Sequence, residues 1–259
     1  MSPNAIMSSD REQVLRLRSI VMAFGRLFAV NGVDLDVAKG EHLAILGPNG
    51  AGKTTLFNVI SGDLTPTRGT VMIKGVDCTS LPSRRRPRFG MARTYQKARS
   101  FPGLSVEDNL YLAVVGKRGR HLSLWRSGTD RSWREQARAA AETVWLTEEL
   151  ATPVSDLSHG QKRQLEIGMA VATDPDILLL DEPASGLSRG EREWLIELLS
   201  DLGADITLLL IEHDMDVALR VVDRVMVMAD GQQIAAGTPS EIEHDPVVLQ
   251  TYLGTGASA

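Results

Sequence analysis

Nine consecutive residues constrain this chain most: Gly47, Pro48, Asn49, Gly50, Ala51, Gly52, Lys53, Thr54 and Thr55. The apolar residues Leu43, Ala44, Ile45 and Leu46 lead into them, and Leu56, Phe57, Val59 and Ile60 follow at helical spacing. A strand, a glycine-rich turn and then a helix is the setting that a phosphate-binding P-loop requires. Glycines let the backbone curl until successive N–H groups point into one hollow. The N-terminus of the next helix adds the positive end of its dipole. Lys53 supplies a compact cation for the β- and γ-phosphates, and the Thr54 hydroxyl is placed to ligate Mg²⁺. A chance glycine turn has no need of the full pattern between a strand and a helix. The first implication is therefore a nucleoside-triphosphate site.

The totals exclude several classes. The 259 residues can bury a large core. A net charge of −5 argues against broad sequence-independent nucleic-acid binding. The single cysteine, Cys78, cannot form a disulfide within the chain and reads as a packing residue suited to a reducing cytosol. No apolar run approaches the roughly 20 residues of a membrane span. Residues 1–10 are polar, lack an apolar signal core and read as a tail. A soluble protein is expected, with any membrane role exercised through a partner.

Short strands are expected around Val14 to Leu17, Val33 to Val37 and Val71 to Ile73. Phe24 lies between the first two, and spacing alone places it in the core. The run Arg84, Arg85, Arg86 and Arg88 reads as a solvated surface. The character changes over residues 103–150. A helix is expected over 106–113, a basic loop over 116–130, and an Ala/Glu/Arg-rich helix over 131–150. Trp133 and Trp145 read as packing residues. Together these form a helical unit inserted into an α/β core.

Ser158 then sits where a helix N-cap belongs, and Leu165, Met169 and Ala172 mark one buried stripe on that helix. Its N–H groups, beside Ser158, Gly160 and Gln161, make a second helix end able to receive phosphate. Residues 177–180 form an apolar run, as in a strand buried on both faces, and it ends in Asp181 and Glu182. Adjacent acids there are costly without a task. Asp181 can hold Mg²⁺ through water, and Glu182 can address a reacting water. Residues 206–211 form another buried strand, ending in Glu212, His213 and Asp214. Ligands collect at the carboxyl ends of parallel strands, so Glu182 and His213 are expected at one edge. Asp230-Gly231 predicts a type I′ hairpin.

The ordered set resembles the nucleotide-binding subunit of ABC transporters over nearly the whole chain. Gly47 to Thr54 match Walker A; Gln96 matches the Q-loop. Leu157 to Gln161 match the family signature, with His159 in place of its first glycine. Residues 177–182 match Walker B with its glutamate. Ser188 closes the D-loop, His213 matches the switch histidine, and Phe24 takes the place of the adenine-stacking aromatic. Residues 101–109, 211–215 and 252–254 look like those of branched-chain amino-acid importers, with urea and short-amide importers similar.

The resemblance implies an α/β P-loop NTPase (RecA-like) fold: a mostly parallel sheet core, an N-terminal antiparallel β subdomain and an inserted α-helical subdomain. One domain would span 12–253, with core segments 12–102 and 156–253, a helical part 103–155, and tails 1–11 and 254–259. It implies ATP and Mg²⁺ as ligands. Nucleotide would be bound by Phe24, Gly47, Asn49, Gly50, Ala51, Gly52, Lys53, Thr54 and Thr55, and covered by Ser158, Gly160 and Gln161 of a second subunit. Metal would be held by Thr54, Gln96 and Asp181. Lys53, Gln96, Glu182 and His213 would act in hydrolysis. The implied partners are a second ATPase subunit, membrane permease subunits at the cytoplasmic face and, indirectly, a solute-binding protein. No nucleic acid is implied. A lipid or lipopolysaccharide exporter could use the same ATPase. A soluble ABC ATPase outside transport fits less well, because such chains carry paired cassettes or long coiled-coil insertions.

Overall fold

The computed structural model describes residues 12–94, 100–117, 128–203 and 205–254. The apolar run before the P-loop is strand β3 (His42–Leu46). Two strands of the N-terminal region, β1 (Gln13–Phe24) and β2 (Leu27–Ala38), precede it. Helix α1 (Lys53–Ser61) follows the glycines. Strands β4 (Arg68–Ile73), β5 (Val76–Asp77) and β6 (Met91–Arg93) come next. Helices α2 (Val106–Lys117), α3 (Gly128–Thr143) and α4 (His159–Val171) lead to β7 (Ile177–Asp181). The chain continues through α5 (Arg189–Ser200), β8 (Thr207–Ile211), α6 (Met215–Val221), β9 (Arg224–Ala229) and β10 (Gln232–Gly237). It closes with α7 (Pro239–Glu243) and α8 (Pro246–Gly254).

The central sheet runs β10-β9-β3-β8-β7-β6. The pairs β3–β9, β3–β8, β8–β7 and β7–β6 are parallel; β10 alone returns antiparallel. Each parallel strand divides its residues by parity. Leu43, Ile45, Ile177, Leu179, Leu209, Ile211, Met226 and Met228 face one core. Ala44, Leu46, Leu178, Leu180, Leu208, Leu210, Val225 and Val227 face the other. A period of two with both faces apolar explains why these strands read as unbroken hydrophobic runs. A fully buried Leu or Ile here contributes about 2 kcal/mol over its exposed state.

The first core holds α1 against a second sheet, the antiparallel β2-β1-β4-β5. Leu56, Phe57, Val59 and Ile60 of α1 meet Leu15, Leu17, Val33, Leu35, Val71 and Ile73 there. Helix α1 is thus clamped between two sheets. The second core is covered by α2 to α6. This is the expected α/β P-loop fold with an antiparallel N-terminal sheet. No helix among the described residues is long and apolar enough to cross a membrane.

Three local expectations need correction. The helix expected to reach residue 150 stops at Thr143, because Trp145 turns left-handed at φ 55°. Leu146 N–H then bonds the Ala141 carbonyl at 2.8 Å and Trp145 N–H the Glu142 carbonyl at 3.1 Å, a Schellman closure. Trp145 itself is exposed rather than packed, whereas Trp133 packs on the core. The arginine run is not wholly solvated: Arg84, Arg85 and Arg88 are exposed, but Arg86 is buried. It sits in a short 3₁₀ helix (Ser83–Phe89), its Nε donating to the Leu81 carbonyl at 3.2 Å. Burial lowers its pKa, against the opposing pull of Cys78 and Asp77.

Candidate nucleotide site

The parallel strands deliver their C-terminal ends to one edge. Asp181 pairs in register with Ile211, and Ile45 pairs with the same Ile211. The turns after β3, β8 and β7 are therefore neighbours, and these carry the glycine loop, His213 and Glu182.

The glycine loop is shaped by contacts that admit no side chain. Gly47 has φ 146°, and a Cβ there would lie 2.1 Å from the Met228 carbonyl oxygen. Gly52 has φ 95°, and its Cβ would lie 2.1 Å from the Ala29 carbonyl oxygen. The loop is stitched to its surroundings by Gly231 N–H to the Ala51 carbonyl at 3.1 Å and Asn31 N–H to the Gly231 carbonyl at 2.8 Å. The β9–β10 turn is type I′ in its dihedrals, with φ 48° at Asp230 and 75° at Gly231. The hairpin predicted from Asp230-Gly231 thus braces the loop.

Helix α1 begins at Gly52 with no side-chain cap, whereas α4, α5, α6 and α7 are each capped by a side chain. Its free N–H groups and dipole suit an anion. Lys53 is buried, its Nζ donating to the Gly47 and Pro48 carbonyls at 2.7 and 2.9 Å. Burial lowers its pKa; the nearby carboxylates of Glu182 and Asp181 act in the opposite sense. A phosphate at this position would supply the charge that burial denies it. Asn49, Gly50 and Thr54 are exposed at the mouth, with Ala51 buried beneath and Thr55 half-buried.

Asp181 is 2% exposed. Its Oδ2 accepts from Arg93 Nη2 at 2.8 Å, and its Oδ1 is buried without a hydrogen-bond partner. An orphaned carboxylate oxygen at such depth costs more than the about 1–3 kcal/mol of a neutral group. Among the described residues no cluster of His, Cys, Asp and Glu forms a metal cage. One carboxylate oxygen and a threonine hydroxyl beside a phosphate hollow fit Mg²⁺, which keeps much of its water and shares phosphate oxygens. Gln96, the third expected ligand, lies outside the described residues.

Glu182 adopts φ 48°, unusual for its type. Its N–H bonds the Ile211 carbonyl at 2.9 Å, and its carbonyl accepts from Arg163. Arg163 Nε also donates to the Pro183 carbonyl at 2.9 Å. Glu212 is fully buried and accepts from the Ala184 N–H at 2.7 Å and the His213 N–H at 3.1 Å. Burial raises its pKa. The His213 ring is half-exposed, with Nδ1 3.7 Å from Glu212 Oε2. Arg93, Arg163 and Glu212 were not singled out by sequence; only their strand and helix neighbours reveal them.

Two further elements lie apart from the glycine loop. Phe24 ends β1 half-exposed, opposite Leu27 across a tight hairpin, with Phe28 also exposed. That leaves its ring face open for stacking. Ser158, Gly160 and Gln161 make no hydrogen bond to the glycine loop among the described residues. Ser158 Oγ accepts from the Gln161 N–H, and the Gln161 amide reaches Glu149 at 2.9 Å. Gly160 abuts Glu191, where a Cβ would lie 2.6 Å from a carboxylate oxygen.

A fold of this kind with a glycine loop, a strand-end acid pair and a strand-end histidine defines a P-loop nucleoside triphosphatase. A model of the ABC transporter family matches residues 30–185. Among curated proteins, the chain is 38% identical over 251 residues to the high-affinity branched-chain amino acid transport ATP-binding protein LivG of Escherichia coli K12, covering 94% of this chain and 98% of LivG. Among solved structures it is similar to the ADP conformation of MJ1267, an ATP-binding cassette of an ABC transporter. That likeness has a TM-score of 0.83 and 31% identity, over 93% of this chain and 99% of that one. It is also similar to a dimeric post-hydrolysis state of the ATP-binding cassette MJ0796 bound to ADP and Pi, with TM-score 0.73 and 25% identity over 87% and 98%. The chain belongs to the ABC transporter family and is an ATP-binding, ATP-hydrolysing subunit of that class.

Proposed function

We propose that this chain powers an importer of branched-chain amino acids from the cytoplasmic face of the membrane. Two copies, or this chain and a related one, would close head-to-tail over two ATP molecules. The observation that carries the site is the meeting of three strand ends at an uncapped helix N-terminus. Support for the cargo comes from the full-length likeness to LivG.

In this reading adenine stacks on Phe24. The N–H groups of residues 47–55 and the Lys53 ammonium receive the phosphates. Asn49, Gly50, Ala51 and Gly52 shape that hollow, and Thr55 supports its rim. Thr54 and Asp181 hold Mg²⁺, with Gln96 assigned to it on sequence alone. Mg²⁺ when bound screens the phosphate charge and orients the γ-phosphate. Glu182 accepts a hydrogen bond from the attacking water and aligns it, and His213 contacts the γ-phosphate. The separation of Ser158, Gly160 and Gln161 from their own glycine loop fits a role as cover for the partner's nucleotide. The helix dipole there favours the negative charge.

Core segments 12–102 and 156–253 then act as one body, and 103–155 as a helical arm. A groove of about 670 Å³ lies between them, lined by Ser61, Arg86, Arg93, Ala113, Glu166 and Met169 among others. It suits a segment of a membrane subunit. Glu182→Gln tests the reading. It should retain ATP binding, lose turnover by about 100-fold or more, and run as a dimer in gel filtration with ATP. A variant that turns over at the native rate refutes the assigned role.

A further inference from the structure

Arg93 has no part in the roles above, yet it ties them together. Its side chain is 7% exposed. Nη2 donates to Asp181 Oδ2 at 2.8 Å. Nη1 donates to Asn58 Oδ1 and Ser61 Oγ at 2.8 Å each, and to Asp63 Oδ2 at 3.0 Å. The guanidinium carbon stands 5.7 Å from the centre of the Phe57 ring. Phe57, Asn58 and Ser61 belong to α1, the helix whose other end forms the phosphate hollow, and Asp63 lies two residues past Ser61.

We propose that Arg93 is the positioning residue of the metal site. It grips Asp181 by one oxygen only and leaves the other, Oδ1, for the hydration shell of a divalent cation. The inference rests on Asp181 being the metal-site acid. Two observations and one general property of carboxyl groups carry it. Arg93 meets the carboxylate end-on; a two-pronged grip would occupy both oxygens. Oδ1 is buried with no partner, so the pocket is preset for a group that arrives. A carboxyl torsion is broad and nearly two-fold when unrestrained, and the Arg93 bond is what fixes it here. The outer prong is held in turn by Asn58, Ser61 and Asp63, so the acid is registered against the phosphate helix itself.

The same guanidinium, with Ser61, lines the groove between core and helical arm. A protein segment seated there meets the residue that orients the metal acid. Groove and metal site thus share one side chain.

The test is the Mg²⁺ dependence of nucleotide binding by the full chain, read by fluorescence of a trinitrophenyl ATP analogue, with EDTA as the metal-free arm. Arg93→Gln should bind the analogue in EDTA as the native chain does. Its Mg²⁺ half-saturation should rise about tenfold or more, the usual effect of removing a residue that orients a ligand. Arg93→Lys, which keeps the charge but not the fork, should recover part of that loss. Asp63→Asn, at the far end of the network, should shift it the same way by less. Asp181→Asn is the control for the reading beneath. If Asp181→Asn shifts the Mg²⁺ midpoint and Arg93→Gln does not, Arg93 is only a packing residue and the proposal is overturned. If Asp181→Asn shifts nothing, the metal-acid reading fails first. Should Arg93→Gln not fold, unchanged midpoints in both Arg93→Lys and Asp63→Asn overturn the proposal.

Discussion

Gly47 and Gly50 share a motif but serve it differently. At Gly47 an added methyl meets the Met228 carbonyl oxygen at 2.1 Å, while at Gly50 it meets nothing within 4 Å. Gly47→Ala must therefore push the loop off β9 as well as strain its own backbone, at a cost of about 2–4 kcal/mol. Gly50→Ala bears only the strain of φ 81°, about 1 kcal/mol. Urea unfolding of the two variants measures the gap; equal midpoints would mean that the close approach to Met228 does not matter. The motif pattern gave both glycines equal weight. What separates them is a strand far along the chain, and no local spacing encodes that. The same limit hid Arg93, whose importance depends on β6 lying beside β7, where Arg93 faces Leu179 in register. Asp181, Glu182 and His213 were legible because each follows an unbroken apolar run, and such runs become central parallel strands.

At the scale of elements, the ends of helices proved harder to read than their middles. Helix α4 starts where Ser158 predicts, with a reciprocal capping box to Gln161. Helix α3 ends seven residues early, since a tryptophan took the left-handed position that glycine usually marks. Ser158 also allows a cap to be told from a contact with nucleotide. Ser158→Ala should cost about 1 kcal/mol of stability through the lost cap. Thr238→Ala removes the equivalent box from α7 and should cost about the same. Only Ser158→Ala should also depress ATP turnover. Matched turnover in the two variants would leave Ser158 as a helix cap alone.

For the whole molecule, the two cores share one sheet, and the nucleotide edge and the groove meet at Arg93 within that one frame. Function at this scale needs partners, and the cargo assignment is tested there. Reconstituted in vesicles with its membrane subunits and a leucine-loaded binding protein, the chain should hydrolyse ATP several-fold faster, about 1 kcal/mol in barrier, than without leucine. No response to leucine, isoleucine or valine would reject the cargo and leave the ATPase standing. The β-rich N-terminal third, the helical insertion and the parallel core could all be read from periodicity. Their mutual packing could not, because it depends on which parity of each strand meets α1.

Arg163 has a final consequence. It sits on α4, one turn from the tip that would cover a neighbour's ATP, and it holds the carbonyls of Glu182 and Pro183 in its own chain. The hand offered across the interface is thus tethered at the wrist to the giver's own cutting edge. In a pair of such chains closed head-to-tail, this tether would couple the two hydrolytic centres. Each would hear of the other's phosphate loss as a tug on its own glutamate turn, and alternation between the two would need no messenger beyond one arginine.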